Sequence, residues 1–300
     1  MKSAFTLIEL IMAVVISAIL AIGSFKAIEA LYLKSAKARA VTELSLQSQI
    51  VLDQIAALLY RRVPGSVIGY LDESGNHDCE PIDDATRAYR ILEWLDMDEP
   101  DLLIGRYDGF VDLNASSASN LRALRLKGGT IGSGYGLVFA GSLDRGDAAV
   151  RACEGAFGWH GGGRALLFDA DLSTDDTIGL SPSARYVYEK YYLTGGALAV
   201  ARGEDVDLSG CASPPFSAGD LKSVADTLFL FYGYRPWAGE TFCGDTGGSG
   251  TKAGGVTVLT EDVAGFAVDR VNGVIRLRLD MNRSIRGGGS VHITKQKAVF

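Results

Sequence analysis

Proline is nearly missing from this chain. Seven prolines serve 300 residues, and the first is Pro64. Nothing before that point removes a backbone donor or clashes with a preceding turn, so a helix can run on unbroken. Histidine is scarcer still. His77, His160 and His292 are too few and too scattered to argue a general base, and His160, between Trp159 and three glycines, reads as a surface residue. No Gly-x-Ser-x-Gly elbow and no activated cysteine context occurs. Positive charge is not in excess, since the net charge is −7, and nothing suggests a nucleic-acid partner. Cysteine is limited to Cys79, Cys153, Cys211 and Cys243. No two of them stand close enough for a zinc ligand pair, and no histidine sits at matching spacing.

What is present begins at the N-terminus. From Phe5 to Phe25 the sequence is apolar, with one charge, Glu9. A helix of that length spans roughly 30 Å, the thickness of a bilayer hydrocarbon core. A carboxylate inside such a helix costs about 2.5–3.5 kcal/mol on insertion scales, less near the interface. The cost is useful only to a helix that later finds a partner for the charge.

Ala4-Phe5-Thr6-Leu7-Ile8-Glu9-Leu10 resembles the processing site of type IV pilins and of the pseudopilins of type II secretion. The resemblance implies that a prepilin peptidase cuts between Ala4 and Phe5 and methylates the new amino group of Phe5. It equates Glu9 with the family's assembly carboxylate, which meets the amino terminus of another subunit when the apolar half-helices pack. Two departures are informative. Ala4 stands where Gly is usual, and Lys26 stands where many major pilins have Pro, which leans toward a minor pilin or pseudopilin. Lys2 is alone before the apolar run, whereas Lys26, Lys34, Lys37 and Arg39 follow it. A simple positive-inside count would therefore favour the opposite orientation to the one the resemblance implies.

The helix is expected to continue to Arg62. Val41, Leu44, Val51, Ile55, Leu58 and Leu59 recur near a 3.6 period, with charged and amide residues on the other faces, and Pro64-Gly65 ends the pattern. After Pro64 the period changes to two. Strands are expected at Tyr89–Leu95, Leu102–Tyr107, Gly136–Ala140, Ala165–Phe168, Arg185–Leu193, Ala197–Ala201, Thr227–Tyr234, Val256–Thr260, Gly265–Val271 and Val274–Met281. A last one is expected at Ser290–Thr294. Two hairpins stand out. Tyr186 to Leu193 leads through Thr194-Gly195-Gly196 into Ala197 to Val200, and Asn272-Gly273 joins two alternating runs. The first resembles a hairpin of larger minor pilins and J-type minor pseudopilins, although Arg202 falls two residues late. Tyr186, Tyr188 and Tyr192 would share one face of its first strand. Asp72 to Ala184 resembles nothing familiar.

The expected fold class is thus α+β, a long N-terminal helix packed on an antiparallel β-rich head, pilin-like. Residues 1–4 form a leader, 5–62 the helix with 5–25 as its membrane and assembly segment, and 63–300 a periplasmic head. Behind an inner-membrane anchor the cysteines would meet an oxidising compartment, where an even count favours disulfides. Three pairings are open; Cys79–Cys153 with Cys211–Cys243 closes the nearer loops. Two oxygen-rich stretches, Asp169-Asp171-Asp175-Asp176 and Asp72-Glu73-Asn76-Asp78, would take calcium if they took any metal, but neither keeps the EF-hand spacing, and solvated acidic loops are commoner. No other cofactor is implied. Glycines 244–255 break the phosphate-loop pattern at Thr251-Lys252-Ala253, and Gly132 to Gly136 lacks the dinucleotide spacing, so both read as turns.

The expectation is a non-enzymatic structural subunit whose partners are other pilins or pseudopilins, prepilin peptidase and the inner membrane, with no nucleic acid. A pilus-displayed binding module and a signal-anchored periplasmic enzyme are the alternatives.

Overall fold

The computed structural model describes residues 7–71, 80–82, 87–127, 131–143, 155–211, 217–245, 250–285 and 289–300. Helix α1 (Leu7–Tyr60) runs for 54 residues. It closes in a tightened turn, where Arg61 and Arg62 donate to the carbonyls of Leu58 and Leu59, and Pro64-Gly65 then turns the chain away. Its buried residues, Ala40, Leu44, Ser48, Val51, Leu52, Ile55, Ala56 and Leu59, all lie in the second half and recur at helical spacing.

The rest is mostly strand. In order come β1 (Ile68–Tyr70), β2 (Glu80–Pro81), β3 (Ile91–Met97), a short helix α2 (Glu99–Leu103), β4 (Val111–Asp112), β5 (Asn120–Ala123), β6 (Gly132–Phe139) and a single-turn helix α3 (Ala140–Leu143). Then follow β7 (Leu167–Thr174), β8 (Thr177–Ser181), β9 (Tyr191–Arg202), β10 (Leu228–Tyr234), β11 (Glu240–Phe242) and β12 (Thr251–Ala253). The last four are β13 (Gly255–Thr260), β14 (Val263–Val271), β15 (Val274–Ser284) and β16 (Ser290–Val299). Among the described residues eleven strands join one sheet, ordered β2-β1-β3-β9-β6-β7-β8-β5-β4, with β10 added to β9 and β13 to β10. The strands β14, β15 and β16 make a separate antiparallel meander, and β11 and β12 a small parallel pair.

The second half of α1 lies over both main sheets. Leu44, Leu52, Ile55 and Leu59 share one core with Leu92, Trp94 and Val200 of the large sheet and Leu277 and Leu279 of the meander. Each such side chain contributes about 1.5–3 kcal/mol by leaving water. A second core, with Phe157, Trp159, Phe229, Phe231 and Phe242, is built around other strand positions. A third, with Leu121, Leu137, Phe139 and Ile178, gathers around β5 to β8.

The Asn272-Gly273 turn forms as its sequence dictates, with φ of 51° and 82°, the values a type I′ hairpin requires. Ile275, Leu277, Leu279 and Met281 all point into the core. Other expectations are corrected. Leu102–Tyr107 is no strand: Pro100 fits the first turn of α2, and the chain turns at Gly105. The Tyr186–Val200 hairpin is absent. Thr194-Gly195-Gly196 lies inside β9, which runs straight from Tyr191 to Arg202. On one side β9 pairs with β3; on the other it pairs first with β6 and then with β10. Gly196 sits at that change of partner, where a Cβ would stand 3.1 Å from the Tyr234 carbonyl. Close approach, and not a turn, is what the glycine serves. Tyr186 and Tyr188 therefore precede the strand and share no face with Tyr192. Gly132 to Gly136 belongs to β6, with an irregular register between Ser133 and Tyr135, and is not a turn. Val41 stays 40% exposed because the helix has only begun to meet the head there.

Candidate functional site: the projecting helix

From Leu7 to Arg39 no residue of α1 is buried. The side chains there are mostly apolar, Leu7, Ile8, Leu10, Ile11, Val14, Ile16 and Leu20 among them, and each is more than half exposed. So much contiguous apolar surface is unfavourable in water and calls for lipid or a partner. The helix is long and apolar enough to cross a membrane. Glu9 stands in its first turn, where a carboxylate also meets the positive end of the helix dipole. Ala4 and Phe5 lie outside the described residues. Lys26, Lys34, Lys37 and Arg39 are all exposed on the stretch between the apolar segment and the head.

Polar ties reinforce the apolar stripe that joins helix to head. Lys297 of β16 reaches Asp53 at 2.6 Å, and Lys295 donates to Gln49. The hydrogen bond from Lys297, helped by Gln49, holds the Asp53 carboxyl below its ordinary range. Arg283 of β15 spans from Glu43 on α1 to Asp262 after β13, at 2.8 and 2.6 Å. The helix is thus pinned along its second half and unsupported along its first.

Cys211 and Cys243 are bonded, with Cα atoms 4.4 Å apart. The bridge ties the segment after β9 to the end of β11. Cys79 and Cys153 lie outside the described residues, as do Asp72, Glu73, Asn76 and Asp78. The second acidic stretch is not a loop. Asp169 and Asp171 belong to β7, and Asp175 and Asp176 form its turn into β8. Asp169 is engaged by Arg164 and Asp176 by Arg122, while Asp171 accepts from Ser173. Among the described residues no three His, Cys, Asp or Glu side chains gather as metal ligands would.

One polar cluster has no counterpart in the sequence expectations. His160 is not a surface residue; its side chain is 10% exposed, and its Nε2 lies 2.9 Å from Glu93 Oε2. Glu93, on β3, is fully buried and also accepts a hydrogen bond of 2.6 Å from the Tyr234 hydroxyl. Asp245 Oδ2 is 3.8 Å from His160 Nδ1, and the ring of Tyr70 meets the imidazole edge-on. Burial disfavours a charged His160, but the Glu93 carboxylate and Asp245 outweigh it, so the imidazole pKa lies above its ordinary value. Burial and Glu93 push the Tyr234 hydroxyl well above the usual phenol range. Sealed among core residues, the cluster ties the His160 turn, β3 and the end of β10 together. The signal that could have found it was Glu93 itself, a lone carboxylate in Ile91-Leu92-Glu93-Trp94-Leu95, since a buried charge needs a partner.

Residues 1–25 match the family described as the prokaryotic N-terminal methylation motif. No curated protein and no solved structure matches the chain. The motif and the apolar helix behind it are consistent with membrane anchoring and with a pilus location. In its N-terminal segment, residues 1–25, the chain is similar to the type IV pilin-like proteins that carry this motif.

Proposed function

We propose that this protein is a non-enzymatic structural subunit, a minor pilin or pseudopilin of a type IV pilus or of a type II secretion pseudopilus. The observation that carries the reading is the start of α1, Leu7 to Phe25, an apolar rod that the head leaves uncovered and that bears one carboxylate, Glu9. In this reading prepilin peptidase cuts between Ala4 and Phe5 and methylates Phe5. Glu9 then lies about one helical turn from the new amino terminus. Two such helices packed in a low-dielectric fibre can set the amine of one against Glu9 of the other, so each charge offsets the other's desolvation and fixes the register. The head waits in the periplasm, in keeping with the disulfide at Cys211–Cys243. Its size suits a tip or initiating position, with no neighbour above.

Intact-mass and N-terminal analysis of protein purified from membranes tests the processing step. Loss of residues 1–4 with one added methyl on Phe5 is expected, and an unprocessed N-terminus would contradict the reading. Cross-linking tests the position: adducts spread evenly along the shaft would rule out a tip subunit.

A further inference from the structure

A groove of about 510 Å³ runs between α1 and the end of β13, within the ~300–1,000 Å³ range of ligand sites. Its helix wall is the row Glu43, Gln47, Ile50 and Gln54, and Val258 and Leu259 of β13 face that row. Ile50 is 55% exposed there although it borders the core.

The strand side of the groove is a sheet edge. β13 pairs with β10 and, among the described residues, with no strand on its other side. The alternation of the ladder fixes which groups face outward. Gly203 donates to the Thr227 carbonyl across the β9–β10 pair, so Phe229 and Phe231 turn their main chain to β9, and Leu230 and Tyr232 turn theirs to β13. Opposite those two stand Thr257 and Gly255. The N–H and C=O of Val256 and Val258 therefore point away from β10, and those of Val258 border the groove.

Charge at one end of the groove is unbalanced. Among the described residues that line it, Glu43, Asp220, Glu261 and Asp262 face Lys222 and Arg283 alone. Arg283 is shared between Glu43 and Asp262, and Lys222 pairs with Asp262. The excess falls on Asp220 and Glu261, which among the described residues accept backbone amides alone, from Ser217 and Lys222. A carboxylate has further lone pairs to offer a cation.

We infer that this groove takes an extended peptide segment of a partner protein, added as a strand to the free edge of β13, with a basic side chain directed at Asp220 and Glu261. Main-chain hydrogen bonds to Val258 supply affinity, Ile50 an apolar contact, and the acidic end the preference for a cationic residue. The groove lies on the half of α1 that is fixed to the head, so this binding stands apart from assembly through the projecting half.

The test uses the full-length protein in detergent micelles and a fluorescein-labelled Thr-Val-Lys-Val-Thr peptide, followed by anisotropy. Saturable binding is expected. It should be lost when the peptide backbone is N-methylated, and weakened by about tenfold or more when Glu replaces its Lys. Val258→Pro deletes the outward amide at a position where an edge strand tolerates proline. Gln54→Trp fills the groove from an exposed helix position and decides the matter if Val258→Pro unfolds. Each variant should lose at least about tenfold in affinity. Absence of saturable binding, equal affinity for the N-methylated peptide, or indifference to Gln54→Trp would overturn the inference. So would a concentration-dependent self-association in light scattering that Gln54→Trp abolishes, since the occupant would then be a second copy.

Discussion

A buried imidazole set against a buried carboxylate links the stability of the head to pH. The His160 pKa is raised in the folded protein, so the protonated form is held more tightly there than in the unfolded chain. That stabilisation is complete below the unfolded imidazole value of about 6.5 and is lost as pH climbs through the raised folded value. Thermal melts between about pH 6 and 9 should show the wild-type midpoint falling relative to His160→Asn, whose own curve lacks this component. Tyr234 stays neutral throughout that window, held above the phenol range by burial and by Glu93. Tyr234→Phe removes a donor to a buried carboxylate and should cost about 1.5–3 kcal/mol in urea unfolding. At the other end of the molecule, Glu9→Ala should leave insertion and processing intact and reduce incorporation into fibres. Unchanged incorporation would refute the pairing with the Phe5 amine.

Among the elements, α1 and β9 are the two that organise the head. Ile55 is fully buried on the helix stripe, and Ile55→Ala should cost about 2–5 kcal/mol, read from the urea midpoint at constant slope. Gly196→Val would drive a side chain toward the Tyr234 carbonyl and Gly233 and should part β9 from β10, with loss of the slow amide exchange expected of a central strand. These two elements were not equally legible. The length of α1, its stop at Pro64-Gly65, most of its buried stripe and the Asn272-Gly273 hairpin follow from neighbours close in sequence. β9 does not, because a glycine pair between two β-rich runs reads as a turn, and only pairing with β3, β6 and β10 shows that it is not. The His160 cluster was hidden for the same reason: His160 and Glu93 are 67 residues apart, and Tyr234 and Glu93 are 141 apart. Within the site itself, the apolar run and Glu9 were plain from the sequence, whereas the way the head leaves that run uncovered is a property of the folded chain.

As a whole, the molecule is a rod whose first half is bare and whose second half is the spine of a β-rich head. The Cys211–Cys243 bridge closes a loop with a sequence separation of 32. Replacing both cysteines by serine should lower stability by about 2–4 kcal/mol, measured as a drop in melting temperature against the unaltered protein. The contacts of β16 with α1 carry a further consequence, for the order in which the protein is made. Lys297 and Asp53 are 244 residues apart, and Lys295 and Gln49 are 246 apart. The helix leaves the ribosome early, and the strand that helps to cover its stripe leaves late. Through the whole of that interval the stripe has no native cover from β16, and chaperones and proteases can sense it. A chain that stops before Ser290 would carry all of α1 but lack the strand that helps to cover its stripe, and that exposed stripe would mark it for removal.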